Sequence, residues 1–453
     1  MSRKKPSIHG QWSSRWAFIL AAGGSAVGLG NIWKFPYITG VNGGGAFVLI
    51  YLVTVLLVAA PIMVAEVMLG RRGRQSPINT MRDLAHEAKA SRHWYLLGAV
   101  GIGTGVLILS YYSVIAGWAL AYVFKTGAGA LNGASPGQVH ALFSGLTGNP
   151  YALLFWHTLV MVMTMAVVAR GVRSGLEKAV RWMMPALFVL LLVLVGYAMS
   201  SSGFYEGMRF LFKPDFSKIS PQGVLIAMGH AFFTLSLGMG AIMTYGSYLS
   251  ERTSILPAVA AIATVDTLVA LLAGIAIFPL VFSYGLTPGA GPGLIFETLP
   301  IAFGQMPGGA FFGMLFFILV VFAAWTSTIS IIEPAVAWLV ENHRYSRKRA
   351  CVVIGVVTWA IGIATVLSFN AWQDYKLFGK TAFEAIDFLT ASILLPLGGL
   401  SIALFAGWVM SARVVREELS IPQAWIYRAW YVLIRYVAPL GIALVFLNLL
   451  GIV

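Results

Sequence analysis

Two stretches of this chain hold residues that could do chemistry in otherwise apolar surroundings. "GGSAVGLGNIWKFPY", residues 23 to 37, carries four glycines, Asn31, Lys34 and Pro36. "GHAFFTLSLGMGAIMTYGSY", residues 229 to 248, places Thr234, Ser236, Gly238 and Gly240 at its middle. Glycine costs about 1 kcal/mol and proline about 3 relative to alanine inside a helix. A helix interrupted at such a stretch has free N–H groups where its second half begins, and these favour an anion. Its first half ends in free carbonyl oxygens, which with hydroxyl and amide oxygens suit a hard cation. The chemistry is that of a site for a zwitterion and a cation. Tight helix packing through small residues is the other use of such glycines. Two matching interruptions, each with polar side chains, favour the site.

The elements that must position these residues are membrane-spanning helices. The 453 residues are 59% hydrophobic and 10% charged, with a mean hydropathy of +0.83. Apolar runs long enough to cross a bilayer recur throughout. They predict eleven spans, at roughly 14–37, 42–70, 94–124, 151–169, 176–200, 221–251, 256–284, 310–341, 348–368, 383–411 and 425–452. The predicted fold is an all-α integral membrane protein forming a single domain over residues 1–453. The first span opens a set of five (about 14–200) and the sixth a second set (about 221–411), of opposite orientation because five is odd. Interrupted helices at matching places in two inverted halves point to a midplane site of a secondary transporter.

The net charge of +14 follows membrane topology and implies no nucleic-acid partner. Arg3, Lys4 and Lys5 precede the first span; Arg71, Arg72, Arg74, Arg82, Lys89 and Arg92 follow the second. Arg170, Arg173, Lys178 and Arg181 follow the fourth, and Arg344, Arg347, Lys348 and Arg349 the eighth, whereas the intervening loops are poor in cations. This bias predicts a multi-pass protein of the cytoplasmic membrane, with its N-terminus inside and its C-terminus outside. The lone Cys351 allows no internal disulfide. The seven histidines show no metal-ligand spacing, and no nucleophile set suggests an enzyme.

The two glycine-rich stretches, with "NGGGAFVLIYL", "SYYSVIAGW" and "AAWTSTISIIEP", resemble the signature segments of the neurotransmitter:sodium symporter family. The likeness is closest to its eleven-helix bacterial amino-acid carriers, of the multihydrophobic type and the leucine-transporter fold. It implies helices 1 and 6 unwound at mid-membrane, no organic cofactor, and two sodium ions. The first sodium would be held by Ala26, Asn31, Thr234 and Asp266; the second by Gly24, Val27, Ala323, Thr326 and Ser327. The substrate's carboxylate would meet the N–H groups of Leu29 and Gly30 and the Tyr112 hydroxyl. Its ammonium would face Ala26, Phe233, Thr234 and Ser236. Ser25, Ile108, Phe233, Met239, Ser327 and Ile331 would line the side-chain pocket. Met239 is unbranched and able to refill space, which favours large apolar or aromatic amino acids if it faces the ligand and leaves selectivity open if it is core filler.

The resemblance also matches Lys34 and Asp387 to an outer gate, and Trp12 and Glu341 to an inner one. The usual arginine of the inner gate falls on His9, leaving Lys4, Lys5 or a different latch to replace it. Asp266 stands where many relatives have asparagine; their chloride-site glutamine falls on His230, and four residues beyond Asp266 lies Ala270. An ionised Asp266 would make chloride unnecessary, while burial favours its protonated form. The "GLEKAVRWMMP" run, Gly175 to Pro185, implies a fifth helix that unwinds at its inner end. The implied activity is sodium-coupled uptake of hydrophobic or aromatic L-amino acids by alternating access. A membrane sensor that binds amino acid without net transport is the alternative.

Overall fold

The computed structural model describes residues 8–288 and 291–449; Lys4 and Lys5 lie outside them. Among the described residues helices dominate, and an isolated bridge between Leu377 and Lys380 is the one sign of strand pairing. A helix satisfies its own backbone groups, which lipid cannot do. Nine helices are long and apolar enough to cross a membrane: Gly45–Gly73, Arg92–Gly127, Pro150–Val168, Val172–Met199, Ile255–Ser283, Gly309–His343, Arg347–Leu367, Ala382–Val409 and Ala424–Asn448. Arg15–Ala26 and Gly30–Val41, meeting at 47°, make a tenth when taken together. Where the sequence predicts the sixth span, Pro221–Thr234 and Ala241–Ser247 flank residues 235–240, and neither half reaches across a bilayer alone. Length and apolarity therefore give nine or ten spans among the described residues, against the eleven predicted.

Residues 125–150 and 285–309, which fall between predicted spans and read as Gly/Pro-rich loops, are not loops throughout. Pro136–Thr147 is helical, opened by a reciprocal cap between Ser135 and Gln138, and Thr298–Gln305 is helical as well. Pro77–Glu87, Phe204–Phe212 and Ala412–Leu419 are further short helices that the span pattern does not predict.

Arg92–Gly127 and Gly309–His343 are mostly buried, whereas Pro150–Val168, Val172–Met199, Arg347–Leu367 and Ala424–Asn448 present much of their surface outward. The two broken elements lie with the buried helices. Backbones approach closely where glycine permits it: a β-carbon on Gly105 would sit 3.0 Å from the Ile331 carbonyl. The same device seats Ala241–Ser247 on Gly45–Gly73. A β-carbon on Gly246 would lie 2.6 Å from the Val67 carbonyl, and one on Gly70 would overlap the Met243 carbonyl. Below this contact Arg71 donates to the Thr253 carbonyl at 2.7 Å, and Arg74 to the Leu249 carbonyl at 2.5 Å.

Gly70→Ala should therefore push the two helices apart. An overpacked core loses about 1–3 kcal/mol. The expected outcome is a lower thermal-unfolding midpoint in detergent, with Gly103→Ala, whose β-carbon meets open space, unchanged. Equal midpoints for both variants would contradict the close contact.

Candidate binding site between the broken helices

The first interruption is short. After Ala26 the chain turns extended at Val27 (φ −70°, ψ 103°), then resumes as a wide turn over Gly30–Lys34. The second is longer and twists through three positive φ values, at Ser236 (55°), Gly238 (79°) and Gly240 (79°). Glycine takes this region freely, but Ser236 does so at a cost of about 1–2 kcal/mol. Its hydroxyl donates to the Ser25 carbonyl at 2.9 Å, tying one break to the other. A β-carbon at Gly238 would meet the Leu395 carbonyl at 2.5 Å, so Ala382–Val409 also closes on this segment.

Around the breaks lie two groups of oxygens. Asp266, wholly buried on Ile255–Ser283, is the centre of the first. Its Oδ1 accepts Asn31 Nδ2 at 2.7 Å and the Thr234 hydroxyl at 2.9 Å; its Oδ2 accepts the Tyr51 hydroxyl at 3.2 Å. Asn31 Oδ1 in turn accepts the Gly28 N–H at 3.0 Å. In the second group the Thr326 hydroxyl reaches the carbonyls of Ala323 at 3.0 Å and Val27 at 3.5 Å. Ser327 donates to the carbonyls of Ser25 at 3.2 Å and Ala323 at 3.3 Å. Gly24 packs beside them, between Met184 and Thr326.

Between these groups is a cavity lined by Ser25, Ala26, Gly28, Gly30, Ile108, Tyr112, Phe233, Thr234, Ser236, Met239, Ser327 and Ile331. All six residues expected to form the side-chain pocket line it. Leu29 does not; its N–H donates to the Tyr112 hydroxyl at 2.8 Å, and Gly28 stands at the wall instead. A β-carbon on Gly28 would fall 2.6 Å from that hydroxyl and still closer to Ser327. The cavity measures only about 10 Å³, room for about one water.

Both ends are shut. On one side Lys34 Nζ lies 3.7 Å from Asp387 and 4.6 Å above the ring of Phe233, a wall of the cavity. On the other, Glu341 accepts the Ser76 N–H at 2.8 Å, Asn79 Nδ2 at 2.8 Å and His9 Nε2 at 3.0 Å. Trp12 is buried there, its N–H donating to the Tyr245 carbonyl at 3.0 Å and its backbone N–H to the Tyr248 carbonyl at 3.1 Å. The contact expected of an arginine is made by His9. Val172–Met199 is wound throughout, with Pro185 inside it.

The family model for the sodium:neurotransmitter symporter family matches residues 9–139 and 138–451. The chain belongs to that family. It is 41% identical over 457 residues to the uncharacterized sodium-dependent transporter YhdH of Bacillus subtilis, covering 100% of this chain and 99% of the relative. An uncharacterized sodium-dependent transporter of Haemophilus influenzae is 34% identical over 444 residues, 96% of this chain and 97% of the relative. The crystal structure of MhsT in complex with L-phenylalanine superposes with a TM-score of 0.90 at 42% identity, over 97% of this chain and 99% of that one. The family is one of sodium-dependent membrane transporters, not of enzymes.

Within this symporter framework, Glu66 and Glu333 are buried groups that the sequence reading passed over, and His230, which it named, proves to be buried without a polar partner among the described residues. Glu66, fully buried on Gly45–Gly73, accepts the Gly238 N–H at 3.2 Å and so supplies a partner to the second break. A lone carboxylate in an apolar span was the available signal. Glu333 accepts the Tyr248 hydroxyl at 2.7 Å and pairs with Arg347, adding a second polar tie beneath the cavity. His230 sits between Phe35 and Tyr51, centroids 6.0 and 5.4 Å away, and its ring nitrogens find no partner among the described residues.

Gly28→Ala should fill the cavity without disturbing the surface. Purified protein should keep its thermal midpoint within a few degrees and lose at least a hundredfold in affinity for any ligand of this cavity. Ligand binding unchanged in Gly28→Ala would move the site elsewhere.

Proposed function

We propose that this transporter couples the uptake of large hydrophobic or aromatic L-amino acids to two sodium ions, without chloride. The observation that carries the reading is a buried cavity bounded by both helix breaks and walled by the six expected side chains. The backbone of Gly30 and the Tyr112 hydroxyl would receive a carboxylate, with Ser25, Thr234, Ser236 and Ser327 as further polar lining. Ile108, Phe233, Met239 and Ile331 supply the apolar part of the wall. That L-phenylalanine is the ligand in the structure of MhsT agrees with this division. We read the pair Pro221–Thr234 and Ala241–Ser247 as a sixth span, giving eleven spans in two inverted halves of five plus one. The N-terminus and the Glu341 latch would then face the cytoplasm, and Lys34 and Asp387 the outside.

The first sodium would take the Ala26 carbonyl, Asn31, Thr234 and Asp266, with the substrate's carboxylate completing the set. Asn31 now turns its amide nitrogen to Asp266; a half-turn of that amide would present its oxygen instead. Sodium would thus replace two hydrogen bonds to one carboxylate, and Asp266 would supply the negative charge that chloride provides elsewhere. The second sodium would lie among the carbonyls of Gly24, Val27 and Ala323 and the hydroxyls of Thr326 and Ser327. Oxygen-only donors fit a hard monovalent ion. Two sodium ions entering with a zwitterion carry two charges, worth about 4.6 kcal/mol at 100 mV and about three orders of magnitude of accumulation.

Uptake of tritiated amino acids into proteoliposomes tests this directly. It should require sodium, persist when chloride is replaced by gluconate, and favour phenylalanine-sized over glycine-sized substrates. Loss of uptake on chloride removal would sink the assignment of Asp266, and Asp266→Asn should weaken sodium affinity tenfold or more. The outer gate gives a separate test. A charge pair at this distance near a surface has about 4 kcal/mol of Coulomb attraction at an effective dielectric of 20, but a third of Asp387 is exposed, and screening leaves about 1 kcal/mol. Lys34→Ala and Asp387→Ala should each slow transport more than they weaken binding, and the double variant should be about as slow as either single one. Additive losses would mean that the two residues do not act as a gate.

A further inference from the structure

Arg435 lies on the last described helix, Ala424–Asn448, most of which faces outward, with its charge uncompensated. Among the described residues it forms no ion pair. Its guanidinium is stacked 4.2 Å from the ring centroid of Trp408 and lies 5.6 and 5.7 Å from those of Tyr431 and Tyr436. One terminal nitrogen donates to the Tyr431 hydroxyl at 2.9 Å, while the buried Nε has no partner. An arginine within a spanning helix is costly and calls for a partner.

Its height in the membrane follows from two hydrogen bonds. The Trp408 indole donates to the Arg435 carbonyl at 2.9 Å, and Trp408 is the penultimate residue of Ala382–Val409. The Tyr427 hydroxyl donates to the Ala412 carbonyl at 3.2 Å, so the first turn of the last helix stands beside Ala412–Leu419. Arg435 is thus level with the end of a span rather than with the middle of the bilayer. Trp408 and Tyr436 are exposed there, as aromatic side chains are at membrane boundaries. Arg428, two turns earlier on the same face of the helix, is exposed, and Arg416 lies 5.7 Å from the ring of Tyr427. Of the nearby carboxylates, Glu417 is paired with Arg413 and Glu418 with Arg71.

We propose that Arg435 binds the phosphate of an anionic phospholipid headgroup, with Arg428 two turns away on the same helix face adding to the local positive charge. Guanidinium planes match phosphate oxygens two at a time and stack on aromatic rings, which lysine does less well. A headgroup with net negative charge answers this uncompensated positive charge; a zwitterionic one brings its own cation and does not. The leaflet is the cytoplasmic one on the orientation proposed above, but the contact itself does not depend on the transport reading.

The test uses the delipidated full-length chain in detergent, titrated with phosphatidylglycerol, phosphatidylcholine and inorganic phosphate and read by native mass spectrometry. The wild type should bind phosphatidylglycerol about tenfold more tightly than phosphatidylcholine. Arg435→Gln should weaken the anionic lipid about fivefold, Arg435→Lys should restore only part of that loss, and Arg349→Gln, at a separate basic position, should change nothing. Arg428→Gln, on the exposed surface, should cost a smaller factor and keeps the proposal testable where Arg435→Gln does not fold. Wild-type preference in Arg435→Gln or in Arg428→Gln would overturn the site. So would displacement of the lipid by millimolar inorganic phosphate without lipid preference, which would mark a site for free anions.

Discussion

Everything at the centre of this protein follows from one constraint: a peptide group released from a helix inside a bilayer must find another partner. The two breaks disturb such groups at Val27–Leu29 and at residues 235–240; some return to nearby backbone carbonyls, as Val27 does to Gly23 and Leu237 to Phe232, and others are answered by buried side chains. Tyr112 accepts the Leu29 N–H, Asn31 that of Gly28, and Glu66 that of Gly238. Ser236 and Ser327 donate to the Ser25 carbonyl. The residues that make the breaks tolerable are largely those that line the cavity. Tyr112, Ser236 and Ser327 thus serve both as walls of the candidate cavity and as partners of the broken backbone.

Much of this was legible in the sequence because glycine and hydroxyl residues are conspicuous among apolar ones. The break after Ala26, the twisted segment around Ser236 to Gly240 and the oxygen cluster on Asp266 all fall where the residue types place them. What was not legible depends on where a side chain points. Leu29 and Gly28 are neighbours with the same apolar character, and only the geometry of the turn puts Gly28 at the wall. The span pattern passed over the helices Pro136–Thr147 and Ala412–Leu419, whose short amphipathic or Gly/Pro-flanked runs carry no membrane-length signal.

The two polar clusters flanking the cavity have the same economy. Lys34 reaches Asp387 while lying over Phe233, so this pair rests on a wall of the cavity itself. At the other end Glu341 gathers donors from His9, Ser76 and Asn79, drawn from three separated stretches of chain. Histidine in place of arginine makes this latch a single ring contact instead of a forked one, and the extra donors from Ser76 and Asn79 compensate in number for what is lost in charge.

Asp266 shows why such a site resists piecemeal change. Its carboxylate accepts hydrogen bonds from Asn31 in the first broken element, Tyr51 on Gly45–Gly73 and Thr234 at the end of Pro221–Thr234, while itself standing on Ile255–Ser283. Replacing it would disturb four helices together. Any ion held there competes with Asn31 and Thr234 for the same oxygen, so binding must loosen ties that hold the two breaks to the rest of the bundle. If an ion is held there as proposed, its occupancy and the packing of the two broken elements would be coupled through a single pair of oxygen atoms, the coupling that alternating access would need.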